Sequence, residues 1–289
     1  MTFSDLQGVL LDGRYRLGAR LGSGGMSVVY EADDLRLLRT VAIKVIRGQS
    51  SHTLVERLFR EAKAAARADH PAVITVYGYG TDVASQLDYL VLERLRGRDL
   101  ATRIAEQQRL SVELVIRVGL ATSDALAAVH GAGVVHRDLK PANIYLSKRG
   151  MRVDEVKLLD FGTAKHFDLQ TLTAPGQVLG TMAYMPPEQI RDSKHVDGRV
   201  DIYALGVSLY ECLTGKLPFA QTSAAELAAA MLLGVAEVAP LREVRPELPA
   251  GLVALIERCM QRKPSDRFPS AAALHEALAA LGSHGERGS

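Results

Sequence analysis

The stretch that decides the fold is "HRDLKPAN", residues 136–143, which follows a long helical pattern and precedes two short apolar runs. It places the carboxylate of Asp138 two residues before the ammonium of Lys140 and five before the amide of Asn143. Such a cluster can accept a proton, neutralise a phosphate and coordinate a metal ion. So many polar groups in one short loop predict a chemical role rather than a purely structural one.

A second carboxylate lies in "LLDFG", residues 158–162, where Asp160 ends an apolar run and Gly162 permits a sharp turn. Carboxylate oxygens are good ligands for Mg²⁺, which also binds substrate phosphates. Taken alone, Asp160 is explained equally well as a residue that caps a turn.

Upstream, "LGSGGMSVVY" at residues 21–30 is dense in glycine and continues into a β-branched run. A dinucleotide-binding fold needs a helix directly after the glycines, and a P-loop needs Gly-Lys-Ser/Thr. The pattern instead predicts a hairpin of strand, glycine turn and strand that covers an anion. A glycine-rich surface hairpin without a ligand is the alternative. Ser27 replaces the third glycine of G-x-G-x-x-G, and a small side chain suffices there.

Lys44 stands at the centre of the apolar run "VAIK". Because a buried ammonium is costly without a partner, we expect it to face an anion. On the helix predicted over 53–68, Glu61 falls on the same inward stripe as Leu54 and Ala65, so it can pair with Lys44. The alternative is an exposed pair on the surface.

The pattern along the chain predicts an α+β protein with a small strand-rich lobe and a larger helical lobe. About five strands and one helix fill the first 95 or so residues. Helical periodicity then dominates. It predicts helices over 111–130, with Ser111 as N-cap, and over 200–214, 223–233, 250–261 and 270–281.

Composition narrows the class of protein further. The 289 residues are 47% apolar and 24% charged with a net charge of +2, which favours an ordinary globular chain and no nucleic-acid partner. Cys212 and Cys259 lie in apolar helical patterns and predict core positions in a reducing, cytoplasmic setting. The apolar run at 227–236 is shorter than the roughly 18–20 residues of a membrane span, so we expect no membrane segment in this chain.

Together, these motifs resemble the eukaryotic-like (Hanks-type) Ser/Thr protein kinases of bacteria, whose catalytic domain carries the same elements in the same order. The resemblance covers residues 15–281, with an N-lobe over about 15–95, a C-lobe over about 96–281 and a flexible tail at 282–289. It implies a bilobal fold: a small antiparallel β-sheet with one main helix, then a larger, mostly helical lobe. A membrane tether beyond residue 289 is compatible with it.

The resemblance also implies transfer of the ATP γ-phosphate to Ser/Thr hydroxyls of protein substrates. Asp138 would be the catalytic base and Lys140 would neutralise the γ-phosphate, while Lys44 pairs with Glu61. Asn143 and Asp160 would bind Mg²⁺, with Mn²⁺ as an alternative ion. The residues implied to bind ATP are Leu21, Gly22, Ser23, Gly24, Gly25, Val29, Ala42, Lys44, Leu92, Glu93, Leu95 and Asp99.

For the activation segment, the resemblance implies an ion pair between Glu188 and Arg267. It also implies that Asp201 accepts backbone hydrogen bonds from the catalytic loop. Pro186 stands where the family has Ala, and its effect is left open. We expect autophosphorylation, in trans within a homodimer, on Thr171 or Thr173, whose phosphate would pair with Arg137.

Two rival readings are weighed against this one. A pseudokinase scaffold is disfavoured because Lys44, Asp138, Asn143 and Asp160 are all present. A small-molecule kinase is disfavoured by "RDLKP" and by the Pro-Pro-Glu segment ending at Glu188. Together with Thr181, "RDLKP" points to Ser/Thr rather than tyrosine substrates.

Overall fold

The fold was analysed in a computed structural model of the chain. The structure describes residues 6–24, 27–46, 67–149, 152–160, 179–221 and 223–285. The chain divides into two compact units. The first comprises Met1–Ala66 and Ile74–Arg96, and the second comprises Arg67–Val73 and Gly97–Ser289.

The first unit is built on an antiparallel sheet, which has six strands among the described residues, in the order β1-β2-β3-β4-β6-β5. The strands are β1 (Leu10–Leu11), β2 (Tyr15–Ser23), β3 (Ser27–Asp34), β4 (Arg39–Ile46), β5 (Val76–Asp82) and β6 (Leu87–Leu92). Alternating apolar side chains form the core on one face, among them Leu17, Tyr30, Ile43 and Val91.

The glycine stretch forms the predicted hairpin. Strand β2 ends at Ser23 and β3 begins at Ser27, and the two pair antiparallel with Gly22 opposite Val29. The predicted helix over 53–68, with Glu61, lies outside the described residues up to position 66, and Arg67 and Ala68 form a turn. Strand β1 was not expected from the sequence, because a two-residue strand carries no periodic signal, although Leu11 is fully buried.

The second unit is mostly helical. Its α-helices are α1 (Leu100–Gln107), α2 (Val112–Gly131), α3 (Leu179–Met182), α4 (Pro187–Arg191), α5 (Arg199–Thr214), α6 (Ala224–Leu233), α7 (Leu241–Val244), α8 (Ala250–Cys259) and α9 (Ala271–Gly285). A small sheet of β7 (Gly97–Asp99), β8 (Ile144–Arg149) and β9 (Arg152–Leu158) lies beside them in the order β7-β8-β9.

Helix α5 is the centre of this unit, since nearly every residue along it is buried. Cys212 on α5 and Cys259 on α8 are free and completely buried, as the core prediction required. Burial raises the pKa of the Cys259 thiol to about 12 and also raises the pKa of Cys212, so both stay protonated.

The predicted helices of this unit are confirmed, with small differences at their ends. Ser111 caps α2 through a 3.3 Å hydrogen bond from the Leu114 N–H. Helix α9 continues to Gly285, so the tail predicted from residue 282 begins as helix. Glycine at 282 and 285 weakens a helix without ending it, because its cost is about 1 kcal/mol. Among the described residues, no helix is long and apolar enough to cross a membrane.

Candidate active site

The loop after α2 brings together the predicted base Asp138, Lys140 and the predicted metal ligand Asn143. The Lys140 ammonium donates to both carboxylate oxygens of Asp138, at 3.0 and 2.9 Å. The Asn143 amide nitrogen donates to the Asp138 backbone carbonyl at 2.6 Å and to its carboxylate at 3.3 Å. The three groups therefore share one small volume, as their spacing predicts, and Asp138 is held as an acceptor between two donors.

Asp201, at the start of α5, anchors this loop. Its carboxylate is buried and accepts the backbone N–H groups of His136 and Arg137, both at 2.8 Å, as the resemblance implied. A third contact, 2.7 Å to the His130 ring, was not foreseen. Gln189 on α4 also fixes the loop, because its amide donates to the Arg137 carbonyl at 2.6 Å. No periodic or motif signal in the sequence marked His130 or Gln189.

Two residues of the site adopt a left-handed backbone conformation. Arg137 has φ of 63° and Asp160 has φ of 54°. Such non-glycine conformations cost on the order of 1–3 kcal/mol and persist where the surroundings enforce them. For Arg137, the enforcing contacts are the two on either side of its peptide, from Asp201 and Gln189.

The candidate metal ligands lie on neighbouring backbone segments. Asp160 follows β9, and the Leu159 N–H donates to the Asn143 carbonyl at 2.8 Å. His136, fully buried, ties the same segment to the loop through a 2.8 Å contact between its ring and the Leu159 carbonyl. Among the residues that the structure describes, no cluster of three or more His, Cys, Asp or Glu side chains could hold a metal ion without other donors.

In the first unit, strand register sets the positions of the predicted ATP-binding side chains. Lys44 is opposite Val29 on one side and opposite Leu90 on the other, and Ala42 is opposite Leu92. Directly paired residues, and residues two apart, share a face of a sheet, so all five side chains lie on one face. Lys44, Ala42 and Leu92 are buried there.

The segment after β6 is fixed by its own contacts. The Glu93 N–H donates to the Thr75 carbonyl at 2.9 Å, and the Thr75 N–H donates to the Glu93 carboxylate at 2.8 Å. Arg94 pairs with Glu31 at 2.7 Å and donates to the Leu95 carbonyl. The Glu93 N–H and the Leu95 carbonyl thus already have hydrogen-bond partners in the first unit, so the adenine contacts predicted for this segment would fall to its other backbone groups.

Of the glycines in the hairpin at residues 21–30, Gly22 and Gly24 have open space where a side chain would stand. A Cβ at Gly22 would meet no atom within 4 Å, and a Cβ at Gly24 would meet only the Ser27 hydroxyl, at 4.0 Å. Leu21 is partly exposed and Ser23 ends β2. Asp99, predicted to reach the ribose, caps α1. Its carboxylate accepts the Thr102 N–H and hydroxyl, both at 2.8 Å.

The predicted anchor of the activation segment is present. Arg267, whose side chain is completely buried, donates to both carboxylate oxygens of Glu188, at 2.6 and 3.1 Å. It also donates to the backbone carbonyls of Arg199, Gln261 and Arg262. Lys140 lies 3.4 Å from the Thr181 hydroxyl, which connects the catalytic loop to this segment. Four predicted site residues, Glu61, Gly25, Thr171 and Thr173, lie outside the described residues.

Comparison with known proteins agrees with this geometry. Residues 15–278 match the protein kinase domain family. Serine/threonine-protein kinase PknL of Mycobacterium tuberculosis is 38% identical over 282 residues, which span 97% of this chain and 68% of PknL. Serine/threonine-protein kinase pkn3 of Myxococcus xanthus is 40% identical over 276 residues, 93% of this chain and 50% of pkn3. The chain thus spans half the length of pkn3.

Solved structures give the same fold. The kinase domain of Mycobacterium tuberculosis PknI, in a double-mutant form, superposes with a TM-score of 0.75 at 25% identity, covering 97% of this chain and 99% of that domain. The fold and the site thus define a protein kinase. The chain belongs to the protein kinase family, on the branch of bacterial serine/threonine protein kinases, an enzyme class that uses ATP and a divalent metal ion. The resemblance and the fold predicted from the motifs are confirmed.

Proposed function

We propose that Asp138 is the base of this serine/threonine kinase and that a single catalytic domain, residues 15–281, carries the reaction. The observation that carries this proposal is the position of the Asp138 carboxylate, held by Lys140 at 2.9 and 3.0 Å on a loop anchored to Asp201. A carboxylate so placed can orient a substrate hydroxyl and accept its proton as the phosphoryl group is transferred.

Lys140 has two tasks in this proposal. Its ammonium holds the Asp138 carboxylate in place, and it neutralises charge on the γ-phosphate during transfer. The transition state spreads negative charge over the phosphoryl oxygens, so positioned cations contribute much of the catalysis. Its 3.4 Å contact with the Thr181 hydroxyl gives the ammonium a second neighbour.

Asn143 and Asp160 are the proposed ligands of Mg²⁺, with Mn²⁺ as the alternative. The donor chemistry fits, because amide and carboxylate oxygens suit a hard cation. In the Asn143 contacts with Asp138, the amide nitrogen faces the carboxylate, so its side-chain oxygen is not used there. When bound, the ion would bridge phosphate oxygens and neutralise their charge.

ATP is proposed to contact four groups of residues, all of which except Asp99 belong to the first unit. Leu21, Gly22, Ser23, Gly24 and Gly25 would form the flap over the phosphates. Val29, Ala42 and Leu92 would line the adenine pocket, and Lys44, paired with Glu61, would bind the α- and β-phosphates. Glu93, Leu95 and Asp99 would contact the adenine edge and the ribose.

We further propose that the kinase activates itself by phosphorylating Thr171 or Thr173, in trans within a homodimer, in a cytoplasmic signalling pathway. The phosphate would pair with Arg137. In its support, the Arg137 Nε is buried and has no hydrogen-bond partner among the residues that the structure describes. A phosphate would supply that partner and order the segment through charge-assisted hydrogen bonds.

The test uses radiolabelled ATP, Mg²⁺ and a generic protein substrate such as myelin basic protein, with the wild-type chain beside Asp138→Asn. We expect label transfer to fall by about 10²- to 10⁴-fold in the variant. Asp266→Asn, at an exposed carboxylate, is the matched control. Equal transfer by wild type and Asp138→Asn would refute the assignment of the base. Mass spectrometry of the same wild-type sample tests Thr171 and Thr173 separately.

A further inference from the structure

The second unit contains a pocket formed away from the catalytic loop. Its empty volume, including the part open to solvent, is about 320 Å³. This volume suits one large side chain of a partner rather than a nucleotide. Its walls combine residues of α4, α5, α6 and the segments after α5, α6 and α8. Its lining includes Pro187, Tyr203, Met231, Gly234, Met260 and Arg262.

The floor of the pocket favours an aromatic occupant. Met231 and Met260 are buried and both line it. Thioether groups are adaptable and make favourable contacts with aromatic rings. The Tyr203 hydroxyl, on a side chain only 2% exposed, donates to the Met231 sulfur at 3.8 Å. Because sulfur is a weak acceptor, a polar atom of an occupant would improve this hydrogen bond.

Arg262 gives the pocket a positive edge. Its guanidinium donates to the Leu232 carbonyl at 3.4 Å, and within the described ranges it forms no ion pair. Gly234 makes this position available, since a Cβ there would lie 2.2 Å from the Arg262 Nη1. Two apolar side chains flank Gly234 in the sequence, Leu233 at 76% and Val235 at 64% exposed. A cation beside exposed apolar groups is complementary to an acidic residue next to an apolar one.

We propose that this pocket is a docking site for a segment of a partner protein in which an aromatic residue adjoins an acidic residue. The aromatic ring enters between Met231 and Met260, and the carboxylate pairs with Arg262. The proposal is independent of the catalytic roles assigned above, because none of the lining residues touches Asp138, Lys140 or Asn143 in the described contacts.

An occupant of this pocket would contact both sides of the anchor of the activation segment. Pro187, in the lining, precedes Glu188 of the ion pair. Arg267 donates to the Arg262 carbonyl at 3.1 Å, and its guanidinium lies 4.9 Å from the centre of the Tyr203 ring. Docking would therefore change the surroundings of the Glu188–Arg267 pair. Partner binding would in this way be linked to the segment that follows the catalytic loop.

The test uses the methionines of the pocket as reporters. The full chain is labelled with ¹³C at its seven Met methyl groups, and Met231→Leu and Met260→Leu identify the two signals. The probes are acetyl-Phe-Asp-amide, acetyl-Phe-Lys-amide and acetyl-Gly-Asp-amide at up to 20 mM. We expect acetyl-Phe-Asp-amide to shift both pocket signals, with a dissociation constant about two- to fivefold below that of acetyl-Phe-Lys-amide. Acetyl-Gly-Asp-amide should leave both signals unchanged.

Two charge-reversal variants complete the experiment. Arg262→Glu should invert the preference for Asp over Lys, whereas Lys263→Glu, at the exposed neighbour outside the lining, should keep it. The proposal fails if neither pocket signal moves, if Asp and Lys probes bind equally, or if Arg262→Glu leaves the preference intact. It also fails if hexanoate shifts both signals more strongly than acetyl-Phe-Asp-amide does, since the pocket would then belong to a small carboxylate.

Discussion

The two units of the molecule position their candidate site residues by different means. In the first unit, Lys44 is placed by the pairing of β3, β4 and β6, so the register of the sheet determines the face on which its side chain lies. In the second, Asp138 stands in a loop without regular structure, and its position depends on hydrogen bonds to Asp201 on another element.

This difference predicts different responses to substitution. A side chain on a central strand can be replaced without moving the backbone, because ladder hydrogen bonds do not involve it. A loop held by side-chain acceptors shifts when an acceptor is lost. Substitutions in the first unit should therefore separate activity from stability, whereas substitutions that support the loop should affect both.

After Asp138→Asn, the largest effect is expected from Lys44→Met. The methionine keeps the apolar stem but removes the buried ammonium, so kcat/KM should fall by about 10²- to 10³-fold with the melting temperature nearly unchanged. Steady-state kinetics and thermal unfolding measure the two quantities. Lys216→Met, at an exposed lysine, is the control and should retain activity. Comparable activity in Lys44→Met and wild type would show that the ammonium positioned by the strands of the first unit is not needed for activity.

The next largest effect is expected from Glu188→Ala, which leaves the charge of Arg267 buried without its carboxylate. Losing one partner of a buried pair costs about 3–5 kcal/mol. Because Arg267 keeps three backbone carbonyls as acceptors, we expect a loss of about 3 kcal/mol in the free energy of unfolding, at the lower end of that range. Urea unfolding measures it.

The double variant Glu188→Leu with Arg267→Met removes both charges. It therefore distinguishes a loss of stability caused by the unpaired charge from one caused by packing. If the unpaired charge is the source of the loss, the double variant should be more stable than Glu188→Ala. A double variant as unstable as the single one, or less stable, would assign the loss to packing instead.

A smaller loss of stability is expected from Asp201→Asn. The amide keeps one acceptor oxygen, so one of the two buried N–H groups from His136 and Arg137 loses its partner, at a cost of about 1–3 kcal/mol. Because Asp138 lies on this loop, a shift of the loop in the variant also moves the Asp138 carboxylate, so kcat should fall together with stability. Asp197→Asn, an exposed carboxylate just before the same helix, is the control. Full activity in a destabilised Asp201→Asn would contradict the link between loop and base.

How far the sequence could predict the structure depends on whether a feature is local in the sequence. Strand alternation and helical periodicity are local, so the hairpin at 21–30 and the helices over 111–130 and 200–214 could be predicted directly. The pair of Glu188 and Arg267 joins residues 79 positions apart, and no local pattern gives such a contact. It was predicted only through the resemblance to a family, which said nothing of Gln189 or His130.

A pH-dependent effect on stability is expected from Glu211, a second carboxyl on helix α5. Burial raises the pKa of Glu211 above its ordinary value of 4.5, although the Tyr184 hydroxyl donates to it and acts in the opposite direction. A raised pKa in the folded state gives a stabilisation that is present below about pH 4.5 and is lost as the pH rises through the raised value.

Wild type should therefore lose stability relative to Glu211→Gln as the pH rises from 4.5 towards neutrality. Urea unfolding of both proteins across this range measures the difference. Tyr184→Phe, which removes the donor that lowers the pKa, should extend the loss to higher pH. A difference that is constant with pH, or that grows in favour of wild type, would show that hydrogen bonding outweighs burial at Glu211.

The smallest effect is expected from Ser27→Gly, which creates the glycine that the motif lacks. Ser27 is the first residue of β3, paired with Ile46, and its carbonyl accepts the Gly24 N–H at 2.9 Å. These contacts are all made by the backbone, so glycine preserves them and costs only about 0.5–1 kcal/mol of conformational entropy. Activity should stay within tenfold of wild type in the kinetic assay used for Lys44→Met. A larger loss would mean that the serine hydroxyl itself contributes, and the first unit would then depend on a side-chain hydrogen bond as the second unit does.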